Sequence, residues 1–498
     1  MNNREENIRA FEAWEEKLYA FNFALSVIGI DSVANPPVQG SALRNRRTAY
    51  LAGEQFSLQN DPANFDVMEA LLKEEDLDPV LRRRVEMHYK NASQLHNVPK
   101  EQFVEYQRIL SESEQAWLKY KPLNDWNSYY PYLEKLVEAH KNLYRCRNDE
   151  RPLYEQMLDD NQPGWDSGKY NAFFDAVKAR LVPLIRKVTE AEQIDDSCIR
   201  GYFDVERQRR FMKHITDYVG FTPDWGKISE SEHPLTSGVS QGDIRFTTKY
   251  RTYNVINAVT STIHESGHAW YSHNMNPDYD GTILCHVSAG MQESQSRLCE
   301  NHLGKSRAFW EYNYPYLKEV FPEFNSVDFE TFYRAVCKAE PSEVRTEADE
   351  LTYPLHIVIR YEIEKMMFSD SCDISKLNEV WNRMYKEYLG VEVSDDTHGI
   401  LSDMHWPYAY FGYFPTYAIG SAFAAQFVHK MNTEINPDEL MKADRYTEII
   451  GWMKEHIHTY GAMLSADETI EKCTGEAFNV NYYLDYLEEK YTELYHLK

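Results

Sequence analysis

Residues 254–273 read NVINAVTSTIHESGHAWYSH and say more about this chain than any other stretch. Apolar residues recur along it at the spacing of a helix that packs one face inward: Val255, Ile256, Val259 and Ile263. His264 and His268 are about one turn apart on this helix, so both imidazoles project from one face and can bind one metal ion. Glu265, beside the first histidine, is placed to take a proton from an activated water.

A catalytic metal site of this kind needs a third protein ligand and one open position for water. The segment HVSAGMQESQSRLCENHLG, residues 286–304, reads as a second helix that ends near Gly304. It offers Glu293, Glu300 and His286 as third ligands, and spacing alone does not choose among them.

The rest of the chain is dominated by helical periodicity. In the first helix Ile8, Phe11, Trp14, Leu18 and Phe21 recur every three or four residues. The clearest strand is Gly242 to Tyr250, which lies shortly before the histidine helix. We therefore expect a mainly α-helical fold with a small β-sheet beside that helix. No linker or repeat divides the chain, so we expect one unit over 1–498. Two lobes, 1–200 and 201–498, with a seam near residues 195–230, are the alternative division.

Composition excludes several classes of partner and places the protein in a reducing compartment. The chain has 498 residues and a net charge of −26, which repels nucleic acid and anionic membranes. Its seven cysteines are scattered without a CxxC pair, as is usual for reduced thiols. No signal peptide or run of about 18 apolar residues is visible. We expect a cytoplasmic protein with no nucleic-acid or membrane partner.

Six motifs, in order along the chain, resemble those of the M32 family of metallocarboxypeptidases. They are His233–Leu235 (HPF), Asp243–Thr247 (DxRxT), His264–His268 (HExxH), Glu293–Arg297 continuing to Asn301, Val344–Asp349 ([IV]RxxAD) and Gly399–Trp406 (GxxQDxHW). The resemblance runs from about residue 200 to the C-terminus. Leu235 stands where the family has Phe, and Ser402 stands where it has Gln.

The resemblance implies that His264, His268 and Glu293 bind one Zn²⁺ per chain, with Co²⁺ or Mn²⁺ as alternatives, and that Glu265 is the general base. It also implies a deep groove between helical lobes and a homodimer. His233 is expected to shape the site or to hold the second nitrogen of a ligating histidine.

A free C-terminal carboxylate is best recognised by an arginine, because the planar guanidinium group can form two parallel hydrogen bonds with the two carboxylate oxygens. Arg345, in the fifth motif, is our choice, and Arg245 and Arg297 compete with it. Donors for the developing oxyanion are expected near His405, Tyr413 and Tyr417.

These features predict a zinc carboxypeptidase that removes single residues from peptides with a free C-terminus. The nearest alternative is a zinc oligopeptidase or a dipeptidyl carboxypeptidase, since such helical enzymes share HExxH and a downstream glutamate. A non-catalytic helical scaffold that binds peptides is the remote alternative.

Overall fold

The computed structural model describes residues 3–34, 36–369 and 371–498. The fold is mainly helical, as predicted. The helices before the sheet are α1 (Asn3–Val33), α2 (Ser41–Gln59), α3 (Pro62–Leu72), α4 (Pro79–His96), α5 (Lys100–Tyr120), α6 (Trp126–Arg145), α7 (Leu153–Asn161), α8 (Ser167–Glu190) and α9 (Val205–Tyr218).

A second run of helices follows the sheet and continues to the C-terminus. These are α10 (Ile256–Asn274), α11 (Ala289–Arg297), α12 (Arg307–Val320), α13 (Phe329–Val336), α14 (Tyr353–Met367), α15 (Leu377–Leu389), α16 (Phe414–Glu434), α17 (Pro437–Lys442), α18 (Tyr446–His456), α19 (Ala466–Thr474) and α20 (Asn481–Leu494).

The sheet has three short strands, β1 (Gly226–Glu230), β2 (Thr236–Ser240) and β3 (Asp243–Thr248). The central strand β3 pairs in parallel with β1 and antiparallel with β2. Ile244 and Phe246 of β3 are fully buried, and β3 packs against α10. The predicted strand and its place beside the histidine helix are therefore confirmed, and β2 is left as an open edge.

Buried apolar side chains form two clusters among the described residues. The larger one runs from Tyr106 to Tyr495 and includes Val188, Ile194 and Phe203. The smaller one joins α1, α3 and α4 around Phe11, Trp14 and Met68 and ends at Ala92. α5 to α8 bury their apolar faces in the larger cluster, so the two clusters separate along the chain between α4 and α5.

A buried carboxylate, that of Glu15, links helices of the smaller cluster by hydrogen bonds. Glu15 of α1 is 2% exposed and accepts hydrogen bonds from Arg84 Nε at 2.9 Å and from His88 Nε2 at 3.0 Å, both on α4. The backbone N–H of Ile283 lies 3.5 Å from the same carboxylate. Glu15 therefore links α1 to α4 and to the segment that leads into α11.

No helix among the described residues is both long enough and apolar enough to cross a membrane.

Replacement of Glu15 by Ala should loosen the N-terminal helices. Removing Glu15 leaves the Arg84 guanidinium without its counter-charge and His88 without its hydrogen-bond partner at a buried site, which costs about 3 kcal/mol. Hydrogen–deuterium exchange of α1 and α4 should become faster, whereas Glu12→Ala, an exposed change on the same helix, should leave exchange unchanged. Equal exchange in the two variants would contradict this role for Glu15.

Candidate metal centre

The two motif histidines share one face of α10. The helix starts where the Asn254 side chain accepts the Ile256 N–H at 2.8 Å. The rings of His264 and His268 lie 5.0 Å apart, centroid to centroid, and cross at a steep angle. Their Nε2 atoms point toward the same carboxylate oxygen, Oε2 of Glu293, at 3.8 and 3.7 Å.

Glu293 arrives from α11, in the second helix that the sequence predicts. This helix changes to a π-helix over Leu298–Leu303 and ends beside Gly304, as expected. Glu293 and Glu300 are seven residues apart, about two turns, and both face α10. Such π segments are frequent at functional sites. Of the three candidate third ligands, the structure brings Glu293 to the two Nε2 atoms.

The other atoms of these groups are already occupied. His264 Nδ1 lies 2.9 Å from Glu300 Oε2, and His268 Nδ1 lies 3.2 Å from Gln292 Oε1. Arg297 Nε donates to Glu293 Oε1 at 2.6 Å. Each Nδ1–H is thereby held outward, which leaves both Nε2 lone pairs and Glu293 Oε2 directed at one point.

Glu293 stays ionised although it is buried. Burial raises its pKa, but the Arg297 guanidinium and the two imidazoles lower it more, so the net pKa is below the ordinary glutamate value. A buried carboxylate of this kind is ready to bind a cation.

Two glycines allow the helices to come this close. A Cβ on Gly267 of α10 would lie 2.6 Å from the Gln295 carbonyl oxygen and 2.7 Å from the Ser296 Cα of α11. A Cβ on Gly420 of α16 would lie 2.7 Å from the Glu293 Cβ. Glu293 therefore reaches the histidines because α10 and α16 both present bare backbone to α11.

The donor set fits a zinc ion. In a tetrahedral zinc site with ligand distances of about 2.0–2.2 Å, neighbouring ligand atoms lie about 3.3–3.5 Å apart. The donor atoms of His264, His268 and Glu293 all lie within 4.8 Å of one another, and the measured 3.7 and 3.8 Å separations need a small inward movement. Two imidazole nitrogens with one carboxylate disfavour Mg²⁺ and Ca²⁺, which prefer oxygen ligands.

Glu265 lies beside these donors and is oriented by the sheet edge. It is 6% exposed. Thr236 Oγ1 of β2 donates to Glu265 Oε2 at 2.6 Å and lies 3.2 Å from the Glu265 carbonyl oxygen. Thr236 is a functional residue that the sequence motifs do not include. Its position directly after the His233–Leu235 motif was the available signal.

A cavity of about 900 Å³ opens over this centre. One wall is α1, with Tyr19 and Phe23, and the opposite wall is the β2 edge from Thr236 to Gln241. Leu235, one of the two departures from the family motifs, also lines it. The expected groove is therefore present, and the N-terminal helix forms part of it.

Arg345 belongs to a second buried charge group, formed with Asp403 and Arg360. Arg345 donates to Asp403 Oδ1 through Nε at 3.1 Å and Nη2 at 2.9 Å, while Arg360 Nε donates to Asp403 Oδ2 at 2.6 Å. The remaining Arg345 nitrogen, Nη1, donates to the Tyr353 hydroxyl at 3.1 Å. Two guanidinium groups share one carboxylate, so this group of three side chains carries net positive charge.

Tyr417 connects the two charge groups. Its ring lies 5.1 Å from the Arg345 guanidinium carbon, its hydroxyl lies 3.2 Å from His405 Nε2, and it lines the cavity together with Tyr413. Burial and the Arg345 charge lower the pKa of His405 to about 3, so its imidazole is neutral. Burial raises the pKa of Tyr413 to about 12 and that of Tyr417 well above its ordinary value, so both hydroxyls remain donors.

The other candidates have different contacts. His233 is exposed in the turn between β1 and β2, and the second nitrogens of the metal-site imidazoles are bonded to Glu300 and Gln292 instead. His286 contacts the Tyr19 ring at 5.9 Å. Arg245 forms a two-point ion pair with Asp243, and Arg297 is bonded to both Glu293 and Glu300.

Ser402, the other departure, leaves a polar gap beside the second charge group. Its hydroxyl is buried without a hydrogen-bond partner among the described residues, while its carbonyl accepts from Lys121 Nζ at 2.7 Å.

Comparisons with known proteins find a matching family and similar sequences and structures. The sequence model of the family described as carboxypeptidase Taq (M32) metallopeptidase matches residues 10–491. Carboxypeptidase 1 of Bacillus subtilis (strain 168) is 34% identical over 485 residues, 96% of this chain and 97% of the relative. Thermostable carboxypeptidase 1 of Pyrococcus furiosus is 30% identical over 492 residues, 98% of each. The crystal structure of an M32 carboxypeptidase from Deinococcus radiodurans R1 has a TM-score of 0.95 at 29% identity, covering 99% of this chain and 100% of that one.

Replacement of Gly267 by Ala should weaken metal binding. The new methyl group would push α11 away from α10 and move Glu293 from the histidines, and we expect zinc affinity to fall at least about 10-fold. A competition titration with a chromophoric chelator measures this. Gly451→Ala is the matched control, because nothing lies within 4 Å of a Cβ on this glycine of α18 and the change should only favour the helix. Unchanged affinity in Gly267→Ala would contradict the role of the close helix approach.

Proposed function

The chain belongs to the carboxypeptidase Taq (M32) metallopeptidase family, and from that premise we propose that it is a zinc enzyme that removes single residues from the free C-termini of peptides. The observation that carries the proposal is the convergence of His264 Nε2 and His268 Nε2 on Glu293 Oε2, at 3.8 and 3.7 Å. When bound, zinc supplies Lewis acidity that polarises a carbonyl and acidifies water.

Glu265 acts as the general base and then the general acid. Its carboxylate takes a proton from the attacking water and delivers it to the leaving amine, so hydrolysis needs no covalent intermediate. Thr236 supports this role by holding one Glu265 oxygen from the β2 edge, which leaves the other oxygen for the water. The low exposure of Glu265 limits competing exchange with bulk solvent.

Charge that develops on the carbonyl oxygen is stabilised by neutral donors. Tyr413 and Tyr417 line the cavity together with Glu265 and Glu293, and their raised pKa values keep both hydroxyls protonated. His405 contacts the Tyr417 hydroxyl and fixes its direction. Donors placed in advance of the reaction need no reorganisation as the charge appears.

Arg345 recognises the free carboxylate of the substrate. The guanidinium pair of Arg345 and Arg360 is balanced by Asp403 alone, so a second carboxylate would complete the charge balance. Nη1, now bonded to a neutral hydroxyl, is the Arg345 nitrogen that a substrate can take over. The C-terminal carboxylate would then bind near Tyr417, one residue beyond the scissile bond.

We also propose a homodimer in a reducing, cytoplasmic setting. The dimer rests on the family resemblance, and the compartment is supported by cysteines that are all free among the described residues. Light scattering coupled to gel filtration measures the assembly, and a monomer mass of 58.6 kDa at micromolar concentration would contradict the dimer.

Glu265→Gln should retain zinc and lose turnover. The amide preserves the shape of the side chain and the Thr236 contact but cannot accept the proton, so kcat should fall about 100-fold or more. Zinc content by mass spectrometry and hydrolysis of a hexapeptide measure the two effects. In the parent enzyme the hexapeptide should lose one residue at a time, and internal or paired cuts would contradict single-residue removal.

Arg345→Ala should abolish the preference for a free C-terminus. Loss of a charged hydrogen bond to the substrate costs about 2–5 kcal/mol, so kcat/KM for a free acid should fall about 30-fold or more while that of the matching C-terminal amide changes little. Arg245→Ala, which breaks the ion pair with Asp243, tests the competing arginine. An equal loss on acid and amide would contradict recognition of the carboxylate by Arg345.

A further inference from the structure

Glu364 of α14 is a buried carboxylate that none of the steps above uses. It is 0% exposed. Its Oε1 accepts from Trp406 Nε1 at 2.8 Å, and its Oε2 accepts from the Tyr154 hydroxyl at 2.8 Å and from the Gly412 N–H at 2.9 Å. Three neutral donors therefore converge on one side chain.

Two of these donors lie next to residues of the proposed reaction. Trp406 follows His405, and Gly412 precedes Tyr413. The segment between them, residues 405–413, lies outside the α-helices, between the end of α15 and the start of α16. Its own backbone hydrogen bonds are turns, which the N–H groups of Tyr408, Ala409 and Tyr410 form with carbonyls of residues 404–406. Turns of this kind do not tie both ends of the segment to the rest of the fold, so other contacts must do so. The Glu364 carboxylate bonds to Trp406 near the start of this segment and to Gly412 near its end.

Further contacts hold the backbone of the segment against α7. Asn161 Nδ2 donates to the Phe411 carbonyl at 3.2 Å, and a Cβ on Gly412, whose φ is +72°, would lie 2.7 Å from the Met157 carbonyl oxygen. The only side chain among the described residues that bonds to both Trp406 and Gly412 is Glu364.

Glu364 holds its partners by accepting hydrogen bonds with both carboxylate oxygens rather than by forming an ion pair. No salt bridge among the described residues includes it, and Arg360, one turn earlier on α14, is bonded to Asp403. Burial raises the pKa of Glu364 to about 7, against the effect of the three donors and of the Arg360 charge. A glutamine has one acceptor oxygen and would turn its amide N–H toward a donor on one side, so it cannot replace both carboxylate oxygens.

We propose that Glu364 is a positioning residue of the peptidase reaction, which holds the 405–413 segment so that His405 and Tyr413 keep their places beside Tyr417 and the metal donors. It touches no substrate. The inference rests on the proposed roles of His405 and Tyr413, and its signature is a loss in kcat rather than in carboxylate recognition, because Arg345 is held by Asp403 and Tyr353 instead.

The test compares Glu364→Gln with Glu362→Gln. Glu362 lies on the same helix, accepts from Lys178 and Tyr388, and has no contact with the segment. Glu364→Gln should lower kcat about 10-fold or more and change KM by no more than about 2-fold, since a small displacement of positioned groups costs this much. Glu362→Gln should leave both constants unchanged. A kcat within 2-fold of the parent value for Glu364→Gln would overturn the proposal.

Trp406→Phe gives a second route if Glu364→Gln does not fold. It removes one donor to Glu364 and keeps an aromatic ring beside Trp381 and Phe414. Its control is Trp310→Phe, because the Trp310 N–H is buried without a partner among the described residues. We expect kcat to fall about 3- to 10-fold in Trp406→Phe and to stay unchanged in Trp310→Phe. Equal kcat in the two would overturn the proposal.

Double variants separate positioning from general stability. If Glu364 acts through His405 and Tyr413, its effect on kcat should largely disappear in a His405→Ala/Tyr413→Phe background, whereas a structural defect would add to it. Full additivity would overturn the inference. If His405→Ala and Tyr413→Phe by themselves leave kcat unchanged, the proposed roles of those two residues fail. If they lower kcat and Glu364→Gln does not, the inference alone fails.

Discussion

The contact of three helices around Glu293 is the constraint on which the rest of the site depends. A carboxylate on one helix can meet two imidazoles on another only if the two backbones nearly touch, and Gly267 and Gly420 remove the Cβ atoms that would prevent it. Once the helices are this close, Glu293 is largely buried, and the Arg297 guanidinium helps to keep it charged. The close approach of the three helices thus explains both the tight packing around Glu293 and the charge environment of this carboxylate.

The charges of the site form two groups with a neutral aromatic boundary. The metal donors and Glu265 make one group, and Arg345, Asp403 and Arg360 make the other. Tyr417 lies between them with a protonated hydroxyl. In the proposed reaction the scissile carbonyl lies at the metal donors and the terminal carboxylate at Arg345, so that specificity for a chain end follows from having the two groups on either side of Tyr417.

Much of this was visible in the sequence because it depends on local spacing. The one-turn separation of His264 and His268, the amphipathic first helix and the strand at β3 follow from periods of four and two residues. Spacing could not choose among Glu293, Glu300 and His286, because these residues come from a different helix and their distances depend on its crossing angle. The strands β1 and β2 were missed since their segments are short and rich in turn residues, and their pairing with β3 is a tertiary contact.

Local sequence was sufficient for the helical class, the paired histidines and the neighbouring glutamate, because each of these depends on residues within one or two turns. Tertiary packing alone decided the outer hydrogen bonds of His264 and His268, the sharing of Asp403 by two arginines, the link from Thr236 to Glu265 and the boundary between α4 and α5. The hydrogen bonds and ion pairs among these join residues 24 to 58 positions apart along the chain. The surfaces that are buried together in the fold determine which residues form these contacts. A periodic pattern along the chain does not contain that information.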